Sequence, residues 1–169
     1  MNADDRSAPL TFRVATPEDL EALVGLLADD MLGQQRERLT LPLPESYHRA
    51  FAAIQQDPNN EVLVACRGTE LAATLQLTYT PSLSYQGSWR ATIESVRTAR
   101  ALRGRGIGSA FVKWAIERAR DRGCRLVQLA THRSRSDAKR FYEQLGFRAT
   151  HEGMKLDLQT SDSSPRPNG

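Results

Sequence analysis

The run Arg103-Gly104-Arg105-Gly106-Ile107-Gly108 stands between a strand-like stretch at residues 91–98 and a helix-like stretch at 107–122. A glycine-rich turn at a helix start aims several backbone N–H groups into one small space. Those donors have no partner inside the helix, and the helix dipole adds partial positive charge beside them. Such a place binds phosphate. Glycine serves there because a Cβ would block close approach and forbid some turn dihedrals. Two familiar phosphate loops are excluded. The dinucleotide fingerprint Gly-x-Gly-x-x-Gly fails, because Gly104, Gly106 and Gly108 are followed by Ser109, Ala110 and Phe111. A Walker loop fails because Gly-Lys-Ser/Thr is absent.

What fits is Arg-x-x-Gly-x-Gly, carried by Arg103, Gly106 and Gly108. Alone, it is equally an arginine-rich turn that caps a helix. Downstream lies Ala138-Lys139-Arg140-Phe141-Tyr142-Glu143-Gln144-Leu145-Gly146-Phe147, which reads Ala-x-x-Phe-Tyr-x-x-Leu-Gly-Phe. The two motifs, in this order and one helix and one strand apart, resemble the GNAT superfamily of acetyl-CoA-dependent N-acetyltransferases. The similarity runs from about Thr11 to about Leu158. It implies an α/β fold with a central mixed, mostly antiparallel sheet, helices on both faces, and central strands splayed apart to form a cofactor slot.

A chain of 169 residues suits one domain. The expected organisation is a flexible leader at 1–9, one domain at 10–158 and a disordered polar tail at 159–169. Apolar runs fall short of a membrane span, and the polar start lacks a signal-peptide apolar region. Two cysteines, Cys66 and Cys124, give no disulfide framework, which favours a reducing, cytoplasmic setting. The net charge of +3 conceals an asymmetry. Residues 97–140 hold 13 Lys/Arg against 3 Asp/Glu, while the remainder is net acidic. A basic surface around a phosphate loop would steer a polyanion. Coenzyme A and nucleic acid both qualify by charge. Arg118, Arg120 and Arg122 read better as solvation of a helix face.

Periodicity sets the rest. Strands are expected at 10–15, 61–67, 71–79, 89–98 and 126–130, with one or two more within 147–158. Helices are expected from Thr16-Pro17-Glu18-Asp19, where threonine caps and proline takes the first position, then at 44–56, 107–123 and 137–145. Gly146 suits the left-handed cap of the last helix. The short, nearly all-apolar run 126–130 reads as a strand buried within a sheet. The stretches 33–44 and 80–88 read as loops and flank the acceptor entrance.

Acetyl transfer from a thioester to an amine needs a base for the ammonium proton, donors for the carbonyl oxygen and a proton for the thiolate. On the strand at 89–98, alternation puts Thr92, Glu94, Val96 and Thr98 on one face. Glu94 is the sole acid between Glu70 and Glu117, and burial beside Ile93 and Val96 would raise its pKa. It is the candidate base, direct or through water; pairing with an arginine, or gripping the acceptor's charge, is the other use open to it. Tyr142 is the candidate acid, on the view that Phe141 takes the core-facing position and leaves the tyrosine to the thioester sulfur. The resemblance implies further roles. Val96, Arg97 and Thr98 would pair by main chain with the pantetheine arm, and an amide near Val96 would hold the carbonyl oxygen. Arg103, Gly104, Arg105, Gly106, Ile107, Gly108 and Ser109 would hold the diphosphate. Arg135 stands where many GNAT proteins have an asparagine, and it, Arg133 or Lys139 would reach a ribose phosphate.

Neither cysteine has a histidine dyad partner, so acyl-cysteine chemistry is not expected. His48, His132 and His151 lack metal-ligand spacing, and no metal is expected. The reading is a direct acetyl-CoA-dependent transferase acting on a primary amine of a small molecule or peptide, without nucleic-acid or membrane partners, and a possible homodimer. Two rivals are a CoA-binding sensor of the same fold that transfers nothing, and a basic nucleic-acid-binding module. The latter is disfavoured by the scarcity of aromatics among the arginines.

Overall fold

The computed structural model describes residues 8–29 and 31–158. Most of the expected leader and the whole expected tail at 159–169 lie outside them. The elements in order are β1 (Leu10–Val14), a 3-10 turn (Pro17–Asp19), α1 (Leu20–Ala28), α2 (Met31–Gln34), α3 (Glu45–Gln56), β2 (Asn60–Arg67), β3 (Glu70–Pro81), β4 (Trp89–Thr98), a 3-10 turn (Arg100–Leu102), α4 (Ile107–Asp121), β5 (Cys124–Leu129) and α5 (Ser136–Gln144). A single turn at Ser84–Gly87, holding Tyr85 and Gln86 in left-handed backbone, links β3 to β4.

The five strands form one sheet in the order β1-β2-β3-β4-β5. The first three pairings are antiparallel; β2, β3 and β4 follow one another through short connections, while β1 reaches β2 through α1, α2 and α3. The last is parallel, because α4 carries the chain back along the sheet before β5 begins. Side-chain alternation along β2 divides the interior. Leu63 and Ala65 join a cluster with Phe111, Val112 and Ala115 of α4. Val64 and Cys66 join a second with Leu20, Leu23, Val24 and Phe51 of α1 and α3. Helices therefore cover both faces, and a one-residue slip of β2 would exchange the two sets.

The entrance to α1 is fixed by Asp19. Its buried carboxylate accepts hydrogen bonds from both Arg13 guanidinium nitrogens, at 2.6 and 2.8 Å, and from the Thr16 amide at 2.7 Å. The Arg13 hydrogen bond outweighs burial and holds the carboxyl below its ordinary value.

Three sequence expectations are corrected. Residues 147–158 form no strand. The run 126–130 is consequently not an interior strand: β5 is the edge of the sheet, and its residues are half-buried or exposed. Arg118 and Arg122 do more than solvate α4. Arg118 donates to both Glu61 oxygens at 2.8 and 2.6 Å and lies 5.3 Å over the Trp114 ring. Arg122 donates to the Pro58 carbonyl and the Asn59 side chain, each at 2.7 Å, and covers the Tyr79 ring at 4.6 Å. Arg120 pairs with Glu117 on the exposed face. The long basic stems pack while their heads clamp α4 to β2 and the turn before it.

Candidate active site

β4 and β5 pair from Trp89–Cys124 as far as Ile93–Leu129, where the ladder stops. β4 runs on for five more residues to Thr98. The two strands therefore part at Glu94, and the backbone of β4 beyond that point has no strand partner on its β5 side. On its other side β4 is bulged. Thr74 pairs with Arg97 and Gln76 with Glu94, so Ser95 and Val96 together oppose Leu75. Ser95 sits in left-handed backbone at φ 53°. A bulge of this kind frees part of the ladder and re-aims the side chains around it.

The bulge changes what the sequence pattern implied. Alternation holds up to Ile93, with Ala91 and Ile93 buried in the core and Thr92 on the opposite face. Beyond Ser95 the phase is broken, so Thr92, Glu94, Val96 and Thr98 do not share one simple face. Val96 packs against the core cluster. Glu94 is exposed rather than desolvated, because the parted strands open its side of the sheet to water. A serine at positive φ gave no sequence signal, since glycine or asparagine is the usual mark of such a site.

The chain leaves β4 through the Arg100–Leu102 turn, pinned by buried Leu102, and enters the glycine turn. Gly104 and Gly106 have φ of 74° and 77°, and open space surrounds the position a Cβ would take on each. Gly106 is the N-cap of α4 and offers no side-chain cap. The first-turn amides of Ile107, Gly108 and Ser109 thus face outward without helical acceptors, while the Ile107 side chain is buried beneath them. Gly108 lies against Thr98 and Phe141: a Cβ there would come within 3.5 and 3.6 Å of those side chains. The end of β4, the start of α4 and α5 therefore meet at one point.

Arg103 braces this turn. Its Nε donates to the Thr98 carbonyl at 3.0 Å, and its Nη2 pairs with Asp29 at 3.2 Å. Asp29 also accepts the Arg100 amide at 3.0 Å. Arg103 thus holds the loop's shape, whereas Arg105 is exposed beside it. Asp29 was not anticipated. The available signal was an acid at the C-terminal end of a helix, where the dipole disfavours negative charge and a nearby cation is needed to offset it.

α5 places Tyr142 over the far end of β4. Contrary to the expectation that Phe141 alone would pack, both rings are half-buried against the core. Tyr142 meets Phe141 edge-on at 5.0 Å and Phe147 at 5.8 Å. The helix closes as expected: Gly146 has φ 91°, and the Phe147 amide donates to the Tyr142 carbonyl at 3.1 Å. Burial pushes the Tyr142 phenol above its ordinary value, while the charges of Arg135 and Arg97 pull the other way. Tyr142, Arg135 and Arg97 therefore share one electrostatic environment. His132 is exposed and hydrogen-bonds Ser134. Both cysteines are free, and burial pushes both thiols up, away from the thiolate form. Among the described residues no three His, Cys, Asp or Glu side chains are grouped to hold a metal, and no helix is long and apolar enough to cross a membrane.

Comparison with known proteins places this geometry. Over 140 residues the chain is 30% identical to the aminoalkylphosphonate N-acetyltransferase of Salmonella typhimurium, covering 83% of this chain and 86% of that one. A transcriptional regulator from Bacillus halodurans is 61% identical, with a TM-score of 0.87 over 89% of this chain and all of that one. An acetyltransferase from Trypanosoma brucei is 28% identical, with a TM-score of 0.73 over 89% of this chain and all of that one. Residues 28–147, which hold the parted strands, the glycine turn and Tyr142, match the acetyltransferase (GNAT) family, and the chain belongs to that family.

Proposed function

We propose that this protein transfers the acetyl group of acetyl-CoA directly to a primary amine of a small molecule or peptide. The observation that carries the reading is the parting of β4 from β5 at Glu94, leading without interruption to the bare first turn of α4. Among the described residues β5 does not pair with β4 past Ile93, and the first-turn amides of α4 stand at the end of that stretch. That suits an elongated ligand with amides along its length and phosphates at its tail. The residues fit such a substrate, since no Cβ fills the space over Gly104 and Gly106.

In this reading the Gly104–Ser109 amides hold the diphosphate, with Arg105 adding charge and Arg103 keeping the loop in shape. Val96, Arg97 and Thr98 offer main-chain groups to the pantetheine amides, and an amide at the bulge takes the charge that develops on the carbonyl oxygen. Glu94, standing in water at the fork, removes the ammonium proton directly or through a water. The amine nitrogen bonds to the carbonyl carbon, the carbon–sulfur bond breaks, the sulfur takes a proton from Tyr142, and the second proton shed by the nitrogen restores the phenol. A phenol whose pKa is raised by burial keeps that proton at neutral pH. Arg135 contributes positive charge beside it. The free cysteines suit a cytoplasmic setting.

An aminoalkylphosphonate is the acceptor to assay first, because a 30% identical relative carries that activity in its name. The second reading, a CoA-binding sensor, is favoured by the 61% identical protein described as a transcriptional regulator. One experiment separates them. Calorimetry with acetyl-CoA, followed by a free-thiol assay against a panel of amines, should give binding and amine-dependent thiol release. Binding without release for any amine supports the sensor; absence of binding ends both.

A further inference from the structure

We infer, resting on the acetyl-CoA reading for the identity of the ligand, that Asp29 is a positioning residue for cosubstrate capture. It acts through the glycine turn, whose shape it holds from the end of α1, rather than by contact. A carboxylate at the C-terminal end of a helix is opposed by the helix dipole. Asp29 is kept there by partners that arrive 71 and 74 positions later in the chain. Its Oδ2 accepts the Arg100 amide at 3.0 Å and Arg103 Nη2 at 3.2 Å. Its main-chain carbonyl, of the kind a helix end leaves without an internal partner, receives the same Nη2 at 3.4 Å. The Arg100 Nε stands 3.8 Å from Oδ1.

Those contacts fall at both ends of one short segment. Arg100 opens the 3-10 turn that leaves β4, and Arg103 is the residue before Gly104. Arg103 Nε also donates to the Thr98 carbonyl at 3.0 Å, so the last residue of β4 belongs to the same ring of contacts. The stretch after Arg103 cannot hold itself. Gly104 and Gly106 sit in left-handed backbone with open space where each Cβ would stand, and unrestrained glycines cross readily between conformations. Their shape is therefore set at the flanks. Buried Ile107 fixes the α4 side, and Leu102 and Asp29 fix the β4 side.

Charge and position act in opposite directions here, which makes the role measurable. Asp29 brings a negative charge close to a turn that would receive phosphates, so by charge alone its removal would tighten the hold on a polyanion. By position its removal loosens that hold, because Arg103 swings free and the Gly104–Ser109 amides lose their common direction. The positional loss outweighs the gain. The carboxylate is about one-third exposed, so its field is screened, whereas a charge-assisted hydrogen bond flanking two glycines has no substitute in the turn.

The test uses the full chain. In Asp29→Asn the dissociation constant for acetyl-CoA, by calorimetry, should rise about tenfold, the weight of one lost hydrogen bond to a charged group. Asp29→Glu, which keeps the charge and still reaches Arg103, should recover most of that loss. Arg103→Met should weaken binding too, and adding Asp29→Asn to it should cost much less than in the wild type, as for two members of one contact. S-acetylpantetheine, which has no diphosphate, should bind the wild type and Asp29→Asn alike. In the ligand-free protein, 15N relaxation should give Gly104 and Gly106 order parameters of about 0.85 in the wild type and below about 0.6 in Asp29→Asn. Tighter acetyl-CoA binding by Asp29→Asn, equal losses for both donors, or glycines equally rigid in the two proteins would each overturn the proposal. The two readings fail separately. Rigid glycines in Asp29→Asn, beside acetyl-CoA uptake by the wild type, remove the role of Asp29 alone. A wild type that takes up no acetyl-CoA, with glycines loosened in Asp29→Asn, removes the functional reading and upholds Asp29 as what shapes the turn.

Discussion

At the scale of single residues, the proposed chemistry turns on two side chains and the proposed slot on one. Tyr142→Phe keeps the ring packing against Phe141 and Phe147 but removes the proton. Turnover should fall about 100-fold, a typical value for a lost general acid, with the acetyl-CoA dissociation constant unchanged; steady-state rates and calorimetry measure the two. Unaltered turnover removes Tyr142 as the acid. Glu94→Gln should lower the rate at neutral pH by a similar factor of about 100 and flatten its rise toward alkaline pH. An identical pH–rate profile in the variant assigns the base elsewhere. Ser95 tests the slot itself. A β-branched residue is poorly tolerated at φ 53°, so Ser95→Val should cost roughly 1–2 kcal/mol in urea unfolding. It should also weaken acetyl-CoA binding, because relief of the strain straightens β4 and removes the register shift at the fork. Tight binding by this variant would show that the bulge is not what opens the site.

At the scale of elements, α4 is held by its arginines as much as by its apolar face. Burial alone would raise the Glu61 carboxyl, but Arg118, aided by the Tyr79 hydroxyl, outweighs it and holds the group below its ordinary 4.5. The Tyr79 phenol is pushed up to about 12 by burial and by Glu61. Below pH 4.5 the unfolded chain binds protons that the folded Glu61 refuses, so stability is lost as pH falls through that value and toward the folded one. Arg118→Met should cost about 1–2 kcal/mol at pH 7 and make this acid loss shallower. Equal acid sensitivity in both proteins, followed by urea unfolding from pH 7 to 3, would rule out the pair as its source. Much of this level was legible in the sequence. The apolar stripes of α1, α3 and α4, the strands around Gly68-Thr69 and the Gly146 cap follow from periodicity and turn chemistry, which act locally. What was not legible depended on distant partners. Asp29 meets Arg103 from 74 positions away, Glu61 meets Arg118 from 57, and the Ser95 bulge exists because β4 has one residue more than β3 between the Gln76–Glu94 and Thr74–Arg97 pairs. One or two strands were expected within 147–158, and the described residues there form none.

At the scale of the molecule, charge and sheet geometry coincide. Of the basic residues of 97–140, Arg103 stands at the open turn of α4 and pairs with Asp29, while Arg118 and Arg122 at its other end are engaged by Glu61 and the Pro58 carbonyl. In the proposed reading, exposed cations of this segment, Arg105 among them, steer the polyanion. Raising ionic strength from about 0.05 to 0.5 M should raise the KM for acetyl-CoA roughly fivefold, as screening shortens the reach of exposed charges, with kcat little changed. A salt-independent KM would show that contact, not steering, sets capture. The stack of Phe12, Phe111 and Trp114, with ring centroids 5.4 to 6.2 Å apart, joins β1 to α4, the helix that opens on the glycine turn. The chain has only one other tryptophan, Trp89. In a Trp89→Phe background, emission therefore comes from a single indole wedged between β1 and α4, and its colour becomes a dye-free gauge of whether the two are docked.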